Sequence, residues 1–248
     1  MTTGTTPAGV DGEQQVSRWV RRMFDAVAPR YDLLNHLLSL NIDRYWRSRT
    51  ARRLEAILCR PDARVVDLCC GSGDLLLAMQ RRSNATLWGS DFSHPMLVLA
   101  RQKIGRTRQP SQVFESDALH LPLRDASLDL VTAAFGFRNF ANYRRGLAEL
   151  HRVLKAGGTA AILEFSTPPN RAFRALYGFY SGWVLPRLGG LLSGSPDAYR
   201  YLPESVRNFP GAELLADEMR QAGFCDVSFE RMTFGIVALH LGRKETGR

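Results

Sequence analysis

The sequence predicts one α/β domain in which a mostly parallel, seven-stranded sheet ends in an antiparallel hairpin. Two patterns support this prediction. Between residues 64 and 165, short runs rich in β-branched and apolar residues alternate with helical runs, as in parallel strands joined by helical crossovers. Near the end of the chain, the strand-like runs at 226–232 and 235–241 lie too close together for a crossover, so they must pair antiparallel.

The beginning of the chain is expected to be helical. Residues 1–14 are rich in threonine and glycine and are predicted to form a loose tail. Across residues 15–60, apolar side chains recur at helical spacing, as at Trp19 and Phe24, and Pro29 breaks the pattern. We therefore expect a cap of N-terminal helices that packs against the sheet domain.

The middle of the chain contains five predicted strands and the helices between them. The strands are expected at residues 64–68, 85–90, 112–115, 128–134 and 159–165. The helices are expected at residues 74–82, 94–104, 144–154 and, before the hairpin, 213–222.

An insertion at residues 166–212 interrupts this alternation before the last helix. Its apolar, aromatic part at 173–192 is broken by glycines, a proline and arginines, which makes it too irregular to span a bilayer. Such an insertion can form a lid over an apolar ligand or rest on a membrane surface. A buried packing arm or a dimer contact is an equally good interpretation of the same pattern.

Composition limits the classes of function. The chain has 248 residues, 45% hydrophobic and 23% charged, which is typical of one globular domain. No apolar run reaches the length of a transmembrane helix. The net charge of +9 reflects either genome composition or attraction to an anionic nucleic acid or membrane. The four cysteines form no Cys-x-x-Cys pair, which predicts reduced thiols in a cytoplasmic protein and no metal site.

A glycine turn after the first predicted strand marks the expected ligand site. The sequence Asp67-Leu-Cys-Cys-Gly71-Ser72-Gly73-Asp74 joins a strand to a helix through a turn that lets the backbone approach a ligand. The third glycine of dinucleotide-binding turns is missing, and Asp74 would repel a pyrophosphate at the start of the helix. The turn therefore favours S-adenosylmethionine, which has a cationic sulfonium and no phosphate.

Two further aspartates follow the next two predicted strands. Asp91 ends the second strand, 18 residues after Gly73, where its carboxylate can accept hydrogen bonds from both ribose hydroxyls. Asp117, followed by Ala118, comes after the third strand and can accept from the adenine amino group. Either aspartate alone could be a helix cap or an exposed turn residue. Counting the aspartate of the glycine turn, three aspartates follow successive strands, and together they predict one adenosyl site.

Together these motifs resemble class I S-adenosylmethionine-dependent methyltransferases, whose Rossmann-like sheet ends in an antiparallel hairpin. The rest of the chain resembles the menaquinone and ubiquinone C-methyltransferase family (UbiE/MenG) over nearly all of residues 20–244. The likeness rests on the segments Met23-Phe-Asp-Ala-Val-Ala-Pro-Arg-Tyr-Asp32, Phe135-Gly-Phe-Arg-Asn139, Leu163-Glu-Phe-Ser166, Leu185-Pro-Arg187, Tyr199-Arg-Tyr-Leu202 and Val237-Ala-Leu-His240.

The resemblance implies that the chain binds S-adenosylmethionine, and it matches the family's contacts at Ser72, Asp91, Asp117 and Ala118. With the rest of the glycine turn, the predicted cofactor-binding residues are Asp67, Gly71, Ser72, Gly73, Asp91, Asp117 and Ala118. Three positions depart from the family. Cys69 replaces the first glycine of the turn, Ala134 replaces a common serine, and Ala156 replaces a turn proline.

The resemblance also implies that the chain methylates a ring carbon of a polyprenylated quinol, with demethylmenaquinol preferred. Ubiquinone and phylloquinone precursors are close alternatives, because no feature of the sequence distinguishes substrate rings that differ by one fused benzene ring. A phenolic pKa lies near ~10, so the site must favour the phenolate. Arg138 is the predicted catalytic residue, because its guanidinium can stabilise the phenolate or polarise a water but cannot act as a base. The alternative is that Arg138 caps the fourth strand or pairs with Glu164.

The acceptor pocket is expected to contain several residues of the family segments. Those predicted to bind substrate are Tyr31, Asn139, Tyr199 and Tyr201. Asp32 and His240 could also line the pocket, although a structural role suits His240 equally well, and no general base is assigned.

Two other functions compete with quinol methylation. The basic charge permits an RNA methyltransferase, but the chain shows no separate RNA-binding module and no Asn-Pro-Pro-Tyr-like motif, so nucleic acid is not expected. The second is a non-catalytic cofactor-binding scaffold of a quinone-synthesis assembly. Contact with the inner face of the membrane and homodimer formation are both left open.

Overall fold

In a computed structural model of the chain, residues 4–7, 9–107, 111–180, 182 and 196–246 are described, without the side chains of Leu34, Leu38 and residues 196–200. The helices are α1 (Glu13–Val27), α2 (Tyr31–Leu38), α3 (Ile42–Arg53), α4 (Glu55–Leu58), α5 (Asp74–Gln80), α6 (His94–Ile104), α7 (Tyr143–Val153), α8 (Arg171–Phe179), α9 (Pro196–Asn208) and α10 (Ala212–Gln221). The strands are β1 (Arg64–Leu68), β2 (Thr86–Asp91), β3 (Gln112–Glu115), β4 (Leu128–Ala134), β5 (Leu154–Phe165), β6 (Phe224–Met232) and β7 (Val237–Lys244).

These strands form a single sheet in the order β3-β2-β1-β4-β5-β7-β6. The neighbours from β3 to β5 pair in parallel, whereas β7 pairs antiparallel with both β5 and β6. The predicted mostly parallel, seven-stranded sheet with a final antiparallel hairpin is therefore confirmed. The link between β6 and β7 is a 3-10 turn at Thr233–Gly235, too short for a crossover.

The strand order reverses between β1 and β4, which lie side by side at the centre of the sheet. In doubly wound sheets, the connections diverge at this point and leave a crevice at the carboxyl ends of the strands. The glycine turn after β1, Asp91 at the end of β2 and the Phe135-Gly136 turn after β4 all face this crevice. The topology therefore brings distant segments of the sequence together at one edge.

Apolar side chains cover both faces of the sheet. On one face, Leu147 and Leu150 of α7 are fully buried with Phe137. On the other face, Leu54 and Leu58 pack with the buried side chains of α5. The N-terminal helices thus cover the sheet next to the glycine turn, because their apolar residues complete the same core as α5.

The N-terminal helices have one break that the sequence pattern indicated and one that it did not. A 3-10 turn at Ala28–Arg30, which contains Pro29, separates α1 from α2. A second break separates α2 from α3, where Leu40 and Asn41 have φ angles of 52° and 60°. A left-handed conformation is uncommon for leucine, so hydrophobic spacing alone does not reveal this turn.

The largest difference in predicted bounds concerns β5, which begins at Leu154 rather than at residue 159. Leu154 pairs with Leu128, and the register then shifts before Leu130 pairs with Thr159. The intervening Lys-Ala-Gly-Gly sequence looks like a turn, but it belongs to an irregular part of the strand.

Two predicted segments fall partly outside the described residues. Within the predicted tail, the Thr5 backbone N–H donates to the Phe140 carbonyl, and the Thr5 hydroxyl lies 2.8 Å from the Tyr201 hydroxyl. The insertion at 166–212 contains α8 and α9, but residues 181 and 183–195 are not described. A lid at 166–212 and a flexible tail at 1–14 stay predictions. No helix in the described ranges is long and apolar enough to cross a membrane.

The turns after β1 and β4 meet at Gly136. A Cβ atom at Gly136 would lie 2.3 Å from the Cys69 Cβ, far inside van der Waals contact. Cys69 and Phe135 both have left-handed backbones, with φ angles of 50° and 57°. The crevice therefore depends on glycine at position 136, which no local turn rule required.

We expect Gly136→Ala to destabilise the fold by about 1–3 kcal/mol, because the added methyl group must displace the Cys69 backbone. Urea unfolding measures the change. The double variant Gly136→Ala/Cys69→Gly should recover much of the loss, since it removes the clashing Cβ where the backbone is already left-handed.

Gly178→Ala is the control, because a Cβ at that helical position meets no atom within 4 Å in the described structure. This control should be neutral or stabilising by up to about 1 kcal/mol. Equal stability of Gly136→Ala and the wild type would show that the two turns do not constrain each other.

Candidate active site

A pocket opens at the carboxyl ends of β1 to β4, with about 670 Å³ of empty space. We call it the sheet-edge pocket. Its lining includes Phe24, Tyr31, Cys69, Gly71, Asp91, Phe92, Asp117, Ala118, Phe135, Gly136 and Asn139. Four of the seven predicted cofactor-binding residues therefore line one cavity: Gly71, Asp91, Asp117 and Ala118.

Asp91 is buried at the end of β2, and its carboxylate organises the floor of the sheet-edge pocket. Its two oxygens accept hydrogen bonds from the backbone N–H groups of Gly71 and Ser93, each at 2.9 Å. Burial raises the pKa of Asp91 to about 6, although these backbone donors oppose the shift. Since each carboxylate oxygen can accept further bonds, Asp91 can still bind two hydroxyl groups of a ligand.

Asp117 and Asn139 lie at other points of the same wall. One Asp117 oxygen accepts from the Leu119 backbone N–H at 2.9 Å, which holds the turn after β3. The Asn139 side-chain carbonyl accepts from the Tyr201 hydroxyl at 3.0 Å, which orients the amide. Its buried Nδ2 has no hydrogen-bond partner among the described residues, so it can donate to a ligand. The sequence predicted that Asn139 binds the acceptor substrate, and in the structure Asn139 lines the sheet-edge pocket.

The other three predicted cofactor-binding residues are not among the described residues that line this pocket. The Asp67 carboxylate accepts from the Thr132 hydroxyl at 2.6 Å inside the sheet, and burial raises the pKa of Asp67 to about 7. The Ser72 hydroxyl donates to Asp32 and accepts from the Lys103 ammonium. Gly73, with a φ angle of 89°, starts α5. These residues hold the shape of the turn.

A second cavity of about 720 Å³ adjoins the first and shares Phe24, Tyr31 and Phe135 with it. We call it the arginine pocket. Its lining comprises Met23, Phe24, Val27, Tyr31, Asn35, Ser39, Asp43, Trp46, Arg47, Phe135, Arg138, Phe165, Tyr201 and Leu202. Three residues predicted for the acceptor side, Tyr31, Arg138 and Tyr201, thus line one cavity.

Arg138 is buried and pairs with Glu164, as one of the two interpretations of the sequence expected, while its catalytic role stays a prediction. Its guanidinium lies 3.2 Å from a Glu164 oxygen and also donates to the Phe135 carbonyl. The guanidinium carbon lies 5.3 Å from the centre of the Phe165 ring. The buried Nε–H has no hydrogen-bond partner among the described residues. Arg138 is therefore both a partner of Glu164 and a donor available to the arginine pocket.

A second buried cation, Arg47, was missed by the sequence analysis. Arg47 donates to Asp43 one turn earlier in α3, and its guanidinium carbon lies 5.3 Å from the centre of the Phe135 ring. An acidic and a basic residue four positions apart usually indicate a solvated helix face. The neighbouring Trp46 was the available signal, because an exposed face rarely contains a tryptophan.

Tyr31 lies between the two cavities. Burial raises its pKa, while the positive charges of Arg47 and Arg138 partly oppose the rise, so the hydroxyl stays protonated near neutral pH. On the other side of the junction, Phe135 packs against Trp46 and Phe165 at centroid distances of 5.8 and 5.0 Å. The left-handed backbone of Phe135 is an outlier of the kind that clusters at functional sites.

A third cavity continues from the arginine pocket toward the surface, with about 1060 Å³ of empty space. We call it the apolar groove. It shares Asn35, Ser39, Trp46, Phe165 and Leu202 with the arginine pocket and adds Leu40, Ile42, Tyr177, Tyr180, Pro203, Val206, Thr233 and Ile236. The three cavities therefore lie side by side, and each shares part of its wall with the next.

The remaining acceptor candidates lie elsewhere or are not described. The Tyr199 side chain lies outside the described residues, as do residues 185–187. His240 is buried in β7, where its Nε2 lies 2.8 Å from the Ala212 carbonyl, and burial lowers its pKa to about 4. Asp32 accepts from Ser72 and from Lys103, whose ammonium lies 2.6 Å away. His240 and Asp32 are therefore held by structural contacts.

Known sequences related to this chain include several curated enzymes. A demethylmenaquinone methyltransferase of Thermus thermophilus is 48% identical over 89% of this chain and 99% of its own length. Its counterpart of Deinococcus radiodurans is 47% identical over 95% and 96% of the two chains. A ubiquinone/menaquinone biosynthesis C-methyltransferase of a Geobacter species is 42% identical over 91% and 96%.

Solved structures agree with the sheet topology. A SAM-dependent methyltransferase of Thermotoga maritima superposes with a TM-score of 0.64 at 19% identity, over 91% of this chain and 99% of its own. The fold is thus that of class I SAM-dependent methyltransferases. Residues 10–244 match the ubiE/COQ5 methyltransferase family. Because this match covers most of the chain and a curated relative is 48% identical, the chain belongs to the ubiE/COQ5 methyltransferase family.

Proposed function

We propose that this enzyme transfers the methyl group of S-adenosylmethionine to a ring carbon of a polyprenylated quinol, and that the quinol is demethylmenaquinol. The observation that carries the proposal is the row of three adjoining cavities. The first contains the Asp91 and Asp117 carboxylates in an otherwise largely apolar lining, the second contains two arginines among aromatic rings, and the third is the most apolar. This order matches a cationic cofactor, a phenolic ring and a hydrocarbon tail.

The sheet-edge pocket fits S-adenosylmethionine on the chemistry of its donors and acceptors. Asp91 and Asp117 offer carboxylate oxygens for ribose hydroxyls and an amino group, as the sequence predicted. The unpartnered Asn139 amide can donate to a ligand oxygen. When bound, the cofactor supplies an electrophilic methyl group on a sulfonium. The apolar ring of Phe135 at the junction excludes water from the reacting atoms.

The arginine pocket can bind an electron-rich ring and keep one of its oxygens negative. The free Nε–H of Arg138 can donate to a phenolate oxygen, and a donor to a developing anion in a buried site is a strong catalytic contribution. Arg47 adds a second positive charge next to the Phe135 ring. The aromatic side chains of the lining would restrict the orientation of a bound ring, which would help to align its carbon with the methyl group.

The apolar groove suits a polyprenyl tail, because its lining is dominated by apolar and aromatic side chains and it opens to the surface. The choice of a naphthoquinol ring is supported by the relatives, two of which are named demethylmenaquinone methyltransferases at 47–48% identity. Ubiquinone precursors remain the alternative, since another relative is named for both pathways.

We also propose that the mouth of the apolar groove rests on an anionic membrane surface, from which the enzyme would take its lipid substrate. Large apolar side chains are exposed on the elements around the groove: Leu40 (73%), Leu176 (64%), Phe179 (60%) and Phe234 (78%). The rings of Phe173 and Phe234 lie 5.1 Å apart, which joins α8 to the β6–β7 turn. Arg171, Arg174 and the net charge of +9 would favour anionic lipids.

A transfer assay tests the proposed function. Purified enzyme receives methyl-labelled S-adenosylmethionine with a short-chain demethylmenaquinol under reducing conditions, or with RNA in a parallel reaction. We expect labelled menaquinol and unlabelled RNA. Labelled RNA, or cofactor binding without transfer to the quinol, would contradict the proposal.

Asp91 should make cofactor affinity depend on pH. The raised pKa of about 6 means that the carboxyl is ionised above pH 7 and becomes protonated as the pH falls below 6. Since protonation removes acceptor capacity, calorimetry should show the dissociation constant rising by up to about tenfold per pH unit below pH 6. Asp91→Asn should weaken binding about 10–100-fold at pH 7.5.

The same variant provides the control for this pH dependence. In Asp91→Asn the dependence around pH 6 should disappear. If the pH dependence of cofactor affinity persists in this variant, the titrating group would be Asp67, whose pKa of about 7 lies in the same region. That result would refute the role of Asp91.

Removing the Arg138 charge should reduce turnover more than cofactor affinity. Because Arg138→Gln alone would leave Glu164 buried without its partner, the test uses Arg138→Gln/Glu164→Gln. We expect turnover to fall about 10²-fold and the cofactor dissociation constant to change less than about threefold. Glu164→Gln alone keeps the cation, and the glutamine carbonyl can still accept a hydrogen bond from the Arg138 guanidinium, so among folded protein its turnover should fall much less than that of the double variant. A double variant as active as Glu164→Gln would remove Arg138 from catalysis.

Membrane contact should depend on the exposed apolar residues around the groove. The measurement is sedimentation with phosphatidylglycerol vesicles. The Leu40→Ser/Phe234→Ser variant should partition onto the vesicles at least about tenfold more weakly than the wild type, because it lacks two large apolar side chains that would be buried in lipid. Val98→Ser, on α6 and away from the groove lining, is the control. Equal partitioning of the two variants would contradict the proposed surface.

A further inference from the structure

The proposed reaction requires a proton to leave a buried pocket in every turnover, and the following inference rests on that proposed function. A new bond forms between the ring carbon and the methyl carbon, and the bond from sulfur to methyl breaks with its electron pair staying on sulfur. The C–H bond of the ring is lost, so one proton is released for each methyl group transferred. Arg138 and Arg47 cannot accept it, because guanidinium groups stay protonated.

We propose that Asp43 accepts this proton in the arginine pocket and that His36 passes it to solvent. Of the described residues that line the arginine pocket, Asp43 is the one with a carboxylate. Its side chain is buried, and one oxygen accepts from the Ser39 hydroxyl at 2.7 Å. The other oxygen lies 2.9 Å from the His36 Nδ1. Asp43 can therefore take a proton from a ring hydroxyl and exchange it with an imidazole.

His36 connects this carboxylate to a solvent-filled space on the other side of α2 and α3. The imidazole is partly exposed and lines a polar cleft with about 1240 Å³ of empty space, together with Arg44, Arg47 and Asp74. Its Nε2 lies 3.7 Å from an Asp74 oxygen. One nitrogen of His36 thus faces the buried acid, and the other lies beside Asp74, which also lines the polar cleft.

The proton balance along this path is complete. Before methyl transfer, the ring hydroxyl gives its proton to the Asp43 carboxylate, which gives it to Nδ1 of a His36 ring that has its own proton on Nε2. The imidazolium then loses a proton to water in the polar cleft. Rotation of the partly exposed ring, a fast motion for such a side chain, returns an unprotonated nitrogen to Asp43. After transfer, the methylated ring carbon loses its C–H proton and the ring oxygen regains a proton, so one proton leaves the pocket for each methyl group transferred.

Two carboxylates lie beside the His36 imidazole, Asp43 at Nδ1 and Asp74 at Nε2. Burial would raise the pKa of Asp74, but Arg47 and Lys103 outweigh burial and lower it, so Asp74 stays ionised beside the ring. The other charged groups on the path or around the polar cleft are Asp32, Arg44, Arg47, Arg81, Lys103 and the Glu55–Arg82 ion pair. Each ring nitrogen thus lies next to a carboxylate, which is the arrangement that a proton relay requires.

A structural role is the alternative, because Asp43 also ties α2 to α3 across the left-handed turn at Leu40 and Asn41. The two roles predict different responses to His36→Gln. Glutamine can keep a hydrogen bond to Asp43, so a structural role survives the substitution. Glutamine cannot gain and lose a proton at neutral pH, so a relay role does not.

The test measures the multiple-turnover rate (kcat) of methylation of short-chain demethylmenaquinol at saturating S-adenosylmethionine. At pH 7 we expect His36→Gln and His36→Ala to be about 10²-fold slower than the wild type, the usual contribution of acid–base catalysis. Cofactor affinity should stay within about threefold of the wild type. Added imidazole should accelerate His36→Ala at least about tenfold through the polar cleft, and the rate of both variants should rise with pH as hydroxide replaces the relay.

His94→Ala is the matched control, because His94 also pairs with a carboxylate, Glu115, at 3.2 Å but lines none of the three cavities in the described structure. This control should keep wild-type turnover. A wild-type rate in His36→Gln, or slow variants that respond neither to imidazole nor to pH, would overturn the relay. Failure of the wild type to methylate the quinol would instead refute the proposed function, so the two failures are distinguishable.

Discussion

The buried ion pair between Arg138 and Glu164 is the interaction on which the acceptor side of this enzyme depends. A charge inside a protein is expensive unless it is paired and hydrogen-bonded. Glu164 at the end of β5 compensates Arg138 in the turn after β4 and also accepts from the Arg138 backbone N–H at 3.1 Å. Burial raises the pKa of Glu164 while Arg138 opposes the rise, so each charge stabilises the other. The pairing holds a cation next to a space where a phenolate can be stabilised.

A chain of charged and hydroxyl groups joins the acceptor side to the glycine turn. It runs from Arg47 and Asp43 through His36 to Asp74, and then through Lys103 to Ser72. The N-terminal helices are therefore not an independent cap, because their polar residues hold the turn that shapes the cofactor side. Ser72, whose contact with the cofactor stays a prediction, links α2 to that turn through its hydrogen bond to Asp32.

The order of the cavities follows from the topology. The carboxyl ends of the parallel strands form the end that contains the Asp91 and Asp117 carboxylates, because side chains in the turns after the strands converge there. The N-terminal helices and α9 cover the middle, and α8 with the β6–β7 turn borders the apolar end. A ligand with a polar cation, a phenol and a hydrocarbon tail would meet these surfaces in the same order, and the tail would point to the exposed apolar rim.

The sequence by itself determined the fold class, the succession of strands and helices along the chain, the antiparallel final hairpin and the acidic residues of the sheet-edge pocket. Hydrophobic periodicity and glycine turns are local signals, and parallel strands bring the residues that follow them to one edge, so Gly71, Asp91 and Asp117 could be grouped without coordinates. The family segments added Arg138, Tyr31 and Tyr201 to the acceptor side.

Only the tertiary structure decided which polar residues face a cavity and which form hydrogen bonds or ion pairs with other residues of the protein. Asp67 and Ser72 lie in the same motif as Gly71, yet their side chains bind Thr132, Asp32 and Lys103 instead of lining the pocket. Arg47, Asp43 and His36 form a site because the left-handed turn after α2 folds that helix back onto α3. Such a turn has no periodic signal, and a charged pair on a helix has the same spacing whether it faces solvent or a core.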